Sequence, residues 1–144
     1  MRVCDLMLKD LTSVDPDDSV RTLVETLETS EATSVPVTDD DDHLVGVVSE
    51  RDVLAAALPR YMELLHSGAF LPNLDQLSRG LNRVADEPVS RLMSRNVISV
   101  CDTADDLQAA DLLLRNRLRC LPVVDVDGRL VGIVRRVDLF KHVL

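Results

Sequence analysis

The feature that most constrains this chain is an echo at a fixed distance. Around Pro36 the sequence reads Val35-Pro36-Val37, Asp39, Leu44-Val45-Gly46 and Asp52; around Pro122 it reads Leu121-Pro122-Val123, Asp125, Leu130-Val131-Gly132 and Asp138. The offsets 122 − 36, 132 − 46 and 138 − 52 all equal 86. Val3, Leu6 and Met7 return at Val89, Leu92 and Met93, so the repeated module spans about 55 residues, the size of a supersecondary unit. The chain therefore divides into a first repeat, 1–58, an insert, 59–88, and a second repeat, 89–144. Together they fit one domain of 144 residues, a length that buries about 68% of its extended-chain surface on folding and needs no disulfide or metal staple.

Each repeat opens with a short apolar stretch, Leu11 to Val14 and Val97 to Val100, followed by a turn-forming cluster, Asp15 to Ser19 and Asp102 to Asp105. A strand running into a helix start fits both. Helical spacing follows, with Val20, Leu23, Val24 and Leu27 in the first copy and Leu107, Ala110, Leu113 and Leu114 in the second, the phases differing by one residue. Two β-rich runs come next, 34–38 with 44–49 and 120–124 with 130–135, joined by Asp39-Asp40-Asp41-Asp42 and Asp125-Val126-Asp127-Gly128. These read as hairpins. A closing helix is expected over 50–58 and 136–144, giving strand, helix, strand, strand, helix twice. In the insert, Leu74, Leu77, Leu81 and Val84 line one face of a helix that Asn73 can cap, and Tyr61 and Phe70 are expected to cover apolar surface.

Charge and composition narrow the function. Sixteen basic against twenty-five acidic residues give a net charge of −9, the wrong sign for a protein that tracks phosphates by counterion release. Aromatic residues make up 2%, too few for a base-stacking platform. No apolar run reaches the ~18 residues of a membrane span, and charged residues interrupt Met1 to Asp10, so a cytoplasmic protein is expected. Cys4, Cys101 and Cys120 are odd in number and widely spaced, which argues for small core residues rather than a disulfide or metal framework. His43, His66 and His142 have no Cys or Asp partner at a diagnostic spacing, the Asp39 to Asp42 run lacks the glycine and distal Glu of a calcium loop, and no phosphate-binding glycine loop is present. Neither a catalytic nor a metal site is expected.

The order of elements, with Leu-Pro-Val-Val-Asp-x-Asp-Gly-x-Leu-Val-Gly-Ile-Val leading to Asp138, resembles the CBS domain (cystathionine β-synthase domain). Two copies resemble a CBS pair, or Bateman module, over residues 3–58 and 89–144. The resemblance implies an α+β fold of tandem β-α-β-β-α repeats forming a pseudo-twofold pair, with a helical insert between them. It also implies two clefts that bind adenosine-containing ligands such as AMP, ADP, ATP, S-adenosylmethionine, NAD or a cyclic dinucleotide, and assembly as a homodimer. Such a module is a sensor rather than an enzyme and requires no cofactor.

Gly46-Val47-Val48-Ser49-Glu50-Arg51-Asp52 matches the ligand signature of that family. Ser49 stands where a helix begins, so its neighbourhood offers free N–H groups and a positive dipole end to a phosphate, and Asp52 can accept from both hydroxyls of a ribose. The same Ser-x-x-Asp pattern is also a capping box with no ligand, and both readings stand. In the second copy, Gly132-Ile133-Val134-Arg135-Arg136-Val137-Asp138 keeps the acid but carries Arg135 in place of the hydroxyl, either as a donor to phosphate or as a solvated side chain. The resemblance places Arg119 opposite Val47, Ser49 and Asp52 in one cleft, and Thr33 opposite Ile133, Arg135 and Asp138 in the other. For Arg119 the alternative is an ordinary surface residue. The expected function is a stand-alone regulatory module for an adenosine-type ligand. The alternative is a structural dimerisation or partner-interaction module with vestigial clefts, in which the insert supplies the surface.

Overall fold

A computed structural model describes residues 1–58, 76–141 and 143–144. The expected cap at Asn73, the helical positions before Gln76, the aromatic residues Tyr61 and Phe70, and His66 and His142 lie outside the described residues. The elements run α1 (Val3–Leu6), α2 (Val20–Ser30), β1 (Ser34–Thr38), β2 (Leu44–Ser49), α3 (Glu50–Ala57), α4 (Gln76–Val84), a 3-10 turn at Val89–Arg91, β3 (Val100–Cys101), α5 (Asp106–Arg115), β4 (Cys120–Val124), β5 (Leu130–Arg135) and a 3-10 turn at Arg136–Leu139. β1 and β2 form a two-stranded sheet, and β3, β4 and β5 form a three-stranded one in that order. β3 runs parallel and β5 antiparallel to β4, with an irregularity between Val123 and Val124.

The two helices that open the repeats are built alike. Ser19 caps α2 by accepting from the Thr22 amide at 3.2 Å, and Asp105, at 19 + 86, caps α5 by accepting from the Gln108 amide at 2.8 Å. Such caps satisfy backbone donors that the first turn leaves orphaned. α2 buries Val20, Leu23 and Leu27, and α5 buries Ala109 and Leu113, which are 23 + 86 and 27 + 86. The phase difference expected from the sequence is therefore corrected: Leu107 and Leu114 are 75% and 72% exposed, and their large apolar side chains draw the eye from the smaller Ala109 that faces the core.

The chain folds into two compact units whose boundaries cut across the repeats. Unit I comprises Met1–Ser13, Thr38–Gly46 and Arg95–Leu144; unit II comprises Val14–Val37 and Val47–Ser94. In unit I, Val3 is fully buried with Val100, Ala109, Leu113, Leu121, Val123 and Val134. Its amide donates to the Ala104 carbonyl at 2.8 Å, and Leu8 and Ile133 exchange backbone hydrogen bonds of 2.8 and 2.9 Å. Unit II repeats this pattern: the Val89 amide donates to the Asp18 carbonyl at 2.8 Å, and Ser94 and Val47 exchange bonds of 2.8 and 3.0 Å. Since 3 + 86 = 89, 8 + 86 = 94 and 47 + 86 = 133, the segment leading each repeat pairs with the body of the other repeat. Gly132 permits the approach in unit I, because a Cβ there would stand 2.5 Å from the Leu8 carbonyl oxygen.

Some elements are shorter than expected. Of the stretch Leu11 to Val14, only Val14 pairs, with Val37, and β3 is two residues long. The closing helix forms in the first copy, where Leu54, Ala55, Ala56 and Ala57 are strong helix formers, but the second copy makes only the four-residue 3-10 turn. There Val137 and Phe140 are weaker helix formers, and no hydroxyl caps the turn. α4 packs on α3 at Gly80; Gly80 and Val84 are buried, whereas Leu77 is 43% exposed. Gly80 sits so close that a Cβ would fall 1.8 Å from the Ala57 carbonyl oxygen. Arg83 donates through Nη2 to the Ala56 carbonyl at 2.9 Å, satisfying the end of α3.

Candidate functional site

The acid-bearing corner of unit II forms where β2 passes into α3. Ser49 is the N-cap, extended at φ −127° and ψ 166°, and its Oγ accepts from the Asp52 amide at 3.3 Å. In return Asp52 Oδ2 accepts from the Ser49 amide at 2.8 Å and from Ser49 Oγ at 3.0 Å. The capping box read from Ser-x-x-Asp thus exists, and it does not consume the acid. Among the described residues Asp52 Oδ1 receives no hydrogen bond, and the side chain is half-buried, so one carboxylate oxygen faces solvent as an acceptor. Thr33 is exposed and its carbonyl accepts from the Glu50 amide at 2.9 Å, which brings the residue before β1 beside the start of α3. Val47, two residues before the cap, is half-buried and held through its backbone to Ser94.

The equivalent corner of unit I has the same backbone and different chemistry. The Arg136 amide donates to the Arg119 carbonyl at 3.4 Å, as Glu50 does to Thr33. Asp138 is fully buried. Its Oδ2 accepts from the Arg135 amide at 2.8 Å and from Arg135 Nε at 3.1 Å, while Oδ1 accepts from Arg135 Nη2 at 2.9 Å and pairs with Lys141 Nζ at 2.6 Å. Burial pushes this carboxyl up, but the hydrogen bonds from Arg135 and Lys141 outweigh it and hold the pKa at about 2. The same bond to Asp138 raises the Arg135 pKa. Arg135, open to two readings in the sequence, is engaged by Asp138 through Nε and Nη2 in the structure. Lys141 was missed by the sequence reading, although its i,i+3 spacing from Asp138 on a turn is a signal for such a pair.

Of the eight expected ligand residues, unit II holds Thr33, Val47, Ser49 and Asp52, and unit I holds Arg119, Ile133, Arg135 and Asp138. Arg119 is exposed, and Ile133 is half-buried and bound through its backbone to Leu8. A separate apolar groove of about 400 Å³ lies in unit II between Val24, Leu27, Val53, Leu54 and Leu81, and none of the eight residues lines it.

Two further groups bear on chemistry. Cys4 is exposed and Cys101 and Cys120 are half-buried, so the cysteines are not the core residues expected from their type. Burial pushes the Cys120 thiol up, against the opposing pull of the Arg135 charge. At the first hairpin, donor atoms of Asp39, Asp41 and His43 lie within 4.8 Å of one another. Asp39 Oδ1 already accepts from the Asp41 and His43 amides at 3.0 and 2.9 Å, the bond from His43 lowering its pKa, and Arg129 Nε donates to the Asp41 carbonyl at 3.1 Å. These bonds hold a turn in place. Among the described residues no helix is long and apolar enough to cross a membrane.

Comparisons with known proteins bear on family and fold. The family model of the CBS domain matches residues 3–59 and 89–144. The chain is 34% identical over 143 residues to the CBS domain-containing protein CBSX2, chloroplastic, of Arabidopsis thaliana, spanning 94% of this chain and 60% of that protein. The crystal structure of CBSX2 in complex with AMP superposes with a TM-score of 0.73 at 33% identity, covering 98% of this chain and 94% of the other. An inosine-5'-monophosphate dehydrogenase of Methanocaldococcus jannaschii is 28% identical over 138 residues, which are 96% of this chain but 23% of that enzyme.

Proposed function

The chain belongs to the CBS domain family, whose domain it carries twice, and we propose that it is a regulatory module that binds an adenosine-containing ligand. The observation that carries this reading is the open oxygen of Asp52 beside the N-terminus of α3. A carboxylate with a free oxygen suits a ribose, whose vicinal hydroxyls are both donors, and the positive dipole end of an eight-residue helix suits a phosphate. The AMP bound by CBSX2, a relative at 33% identity, supports the same ligand class. The module senses rather than catalyses: the match to the dehydrogenase is confined to 23% of that enzyme. Ligand binding acts on a partner only through its differential affinity for two arrangements of the module.

Isothermal titration with AMP, ADP, ATP, S-adenosylmethionine and NAD tests this. At least one is expected to bind, and Asp52→Ala is expected to weaken it by about tenfold or more, the loss expected for hydrogen bonds to a charged acceptor. Absence of binding by all five sinks the reading.

A second reading, a dimerisation or interaction module, is favoured by the apolar residues that unit I leaves in solvent, with Leu107, Leu114 and Phe140 at 75%, 72% and 52% exposure. Light scattering after size exclusion separates a homodimer from a monomer, and Leu107→Lys with Leu114→Lys is expected to shift it to monomer.

A further inference from the structure

The two corners share an acid but not the state of that acid. An ionised carboxylate offers about four lone-pair positions. At Asp138 all are taken: Oδ2 by the Arg135 amide and Nε, Oδ1 by Arg135 Nη2 and Lys141 Nζ, at distances of 2.6 to 3.1 Å. At Asp52 one oxygen serves Ser49 and the other serves solvent. The Arg135 guanidinium meets Asp138 through Nε and Nη2 together, the fork geometry that makes arginine and carboxylate strong partners. Asp138 is wholly buried beneath it, whereas Arg135 and Lys141 are 42% and 43% exposed, so the cations form the outer surface of this corner. The backbone differs as well. α3 begins an eight-residue helix, but Arg136–Leu139 is a four-residue 3-10 turn with little dipole to offer a phosphate.

We infer that Arg135 closes the second corner to a ribose diol, so that the module takes one adenosine-type ligand, at Asp52, and Arg135 is the residue that sets this number. The inference rests on the adenosine reading of Asp52. A diol reaching Asp138 has to displace a bidentate arginine from a buried carboxylate, and its hydroxyls are weaker donors than the cations they would replace. Among the described residues, no donor has to leave Asp52 Oδ1.

The test is a reciprocal exchange, read by isothermal titration with AMP. The unaltered protein is expected to bind about one AMP per chain, Arg135→Ser about two, and Ser49→Arg about none, because each substitution trades the donor that decides whether the acid is free. Each new residue already stands at the equivalent position of the other corner, and circular dichroism melts check folding. Should Arg135→Ser fail to fold, Ser49→Arg decides alone: loss of AMP supports the inference, and undiminished binding overturns it. Two AMP per chain in the unaltered protein, one of them lost in Asp138→Asn, also overturns it while leaving the adenosine reading intact. No AMP bound by either the unaltered protein or Arg135→Ser sinks AMP as the ligand and this inference with it.

Discussion

At the start of α3, Asp52 holds Ser49 and leaves an oxygen to water; after β5, the equivalent Asp138 is held by Arg135 and Lys141 and leaves none. The strand positions before the two corners are equivalent, and the amide that follows each cap donates to an equivalent carbonyl, Thr33 or Arg119. Two differences, Arg135 for Ser49 and Lys141 for Ala55, thus separate an acid available to a ligand from an acid spent on structure. Duplication supplies two copies of a scaffold, and a copy can be retired from binding while its carboxylate is kept for stability. The retained acid at Asp138 is evidence of a structural duty, since its carboxylate is buried and paired twice.

The largest break in this comparison is removal of the acid itself. Asp138→Ala is expected to cost about 3 kcal/mol, because it leaves two cations and the Arg135 amide without their partner in a closed site. Asp52→Ala is expected to cost about 1 kcal/mol, the worth of a helix cap. Urea denaturation with unchanged m-values checks both, and equal losses would erase the distinction drawn between the corners. Next is the support of α3. Gly80→Ala forces α4 away from the Ala57 carbonyl and is expected to cost about 2 kcal/mol, with a weaker AMP isotherm as the helix carrying Asp52 loosens. No comparable helix backs the second corner among the described residues.

Acid titration sharpens the comparison further. The folded-state pKa of Asp138 is about 2, below the ordinary value of 3.8, so its contribution is complete above pH 4 and is lost as the pH falls towards 2. That contribution is about 2 kcal/mol. Melting temperatures recorded from pH 5 to pH 2 are expected to fall less steeply in Asp138→Asn than in the unaltered protein. The smallest effect belongs to Ser49→Ala, which removes the Oγ accepting from the Asp52 amide at 3.3 Å and is expected to cost about 0.5 to 1 kcal/mol. A loss of several kcal/mol there would mean that this corner, too, is chiefly structural.

Much of the fold was legible because side-chain pattern reports directly on it. The hairpins, both capped helices and the repeat itself follow from Pro36 and Pro122, Gly46 and Gly132, and the turn acids. What escaped is what backbone or small residues decide. The pairing of Leu8 with Ile133 and of Ser94 with Val47 is made by main-chain groups, which any side chain would carry. The buried phase of α5 turns on Ala109, and the contact of α4 with α3 turns on Gly80, residues noticed only for their smallness once the partner is known. At the corners the sequence marked both acids and flagged Arg135, but the occupancy of a carboxylate is a matter of geometry. Only the distances distinguish a guanidinium closed on Asp138 from one extended into solvent.

The crossing of the leading segments has a consequence for how the chain comes into being. Unit II is complete once Ser94 has been made, whereas unit I needs Val3 to meet Val134, which lies 134 − 3 = 131 positions later. At roughly 5–20 residues per second, synthesis leaves Val3, Leu6 and Met7 without a core for on the order of ten seconds. The order of folding therefore runs against the order of synthesis: the middle of the chain can settle while residues near its start are still waiting. Pulsed proteolysis of stalled nascent chains is expected to find 14–37, 47–58 and 76–94 protected before 1–13, and a ribosome-bound fragment ending near residue 100 to carry an apolar segment over Val3 to Met7 that chaperones can reach.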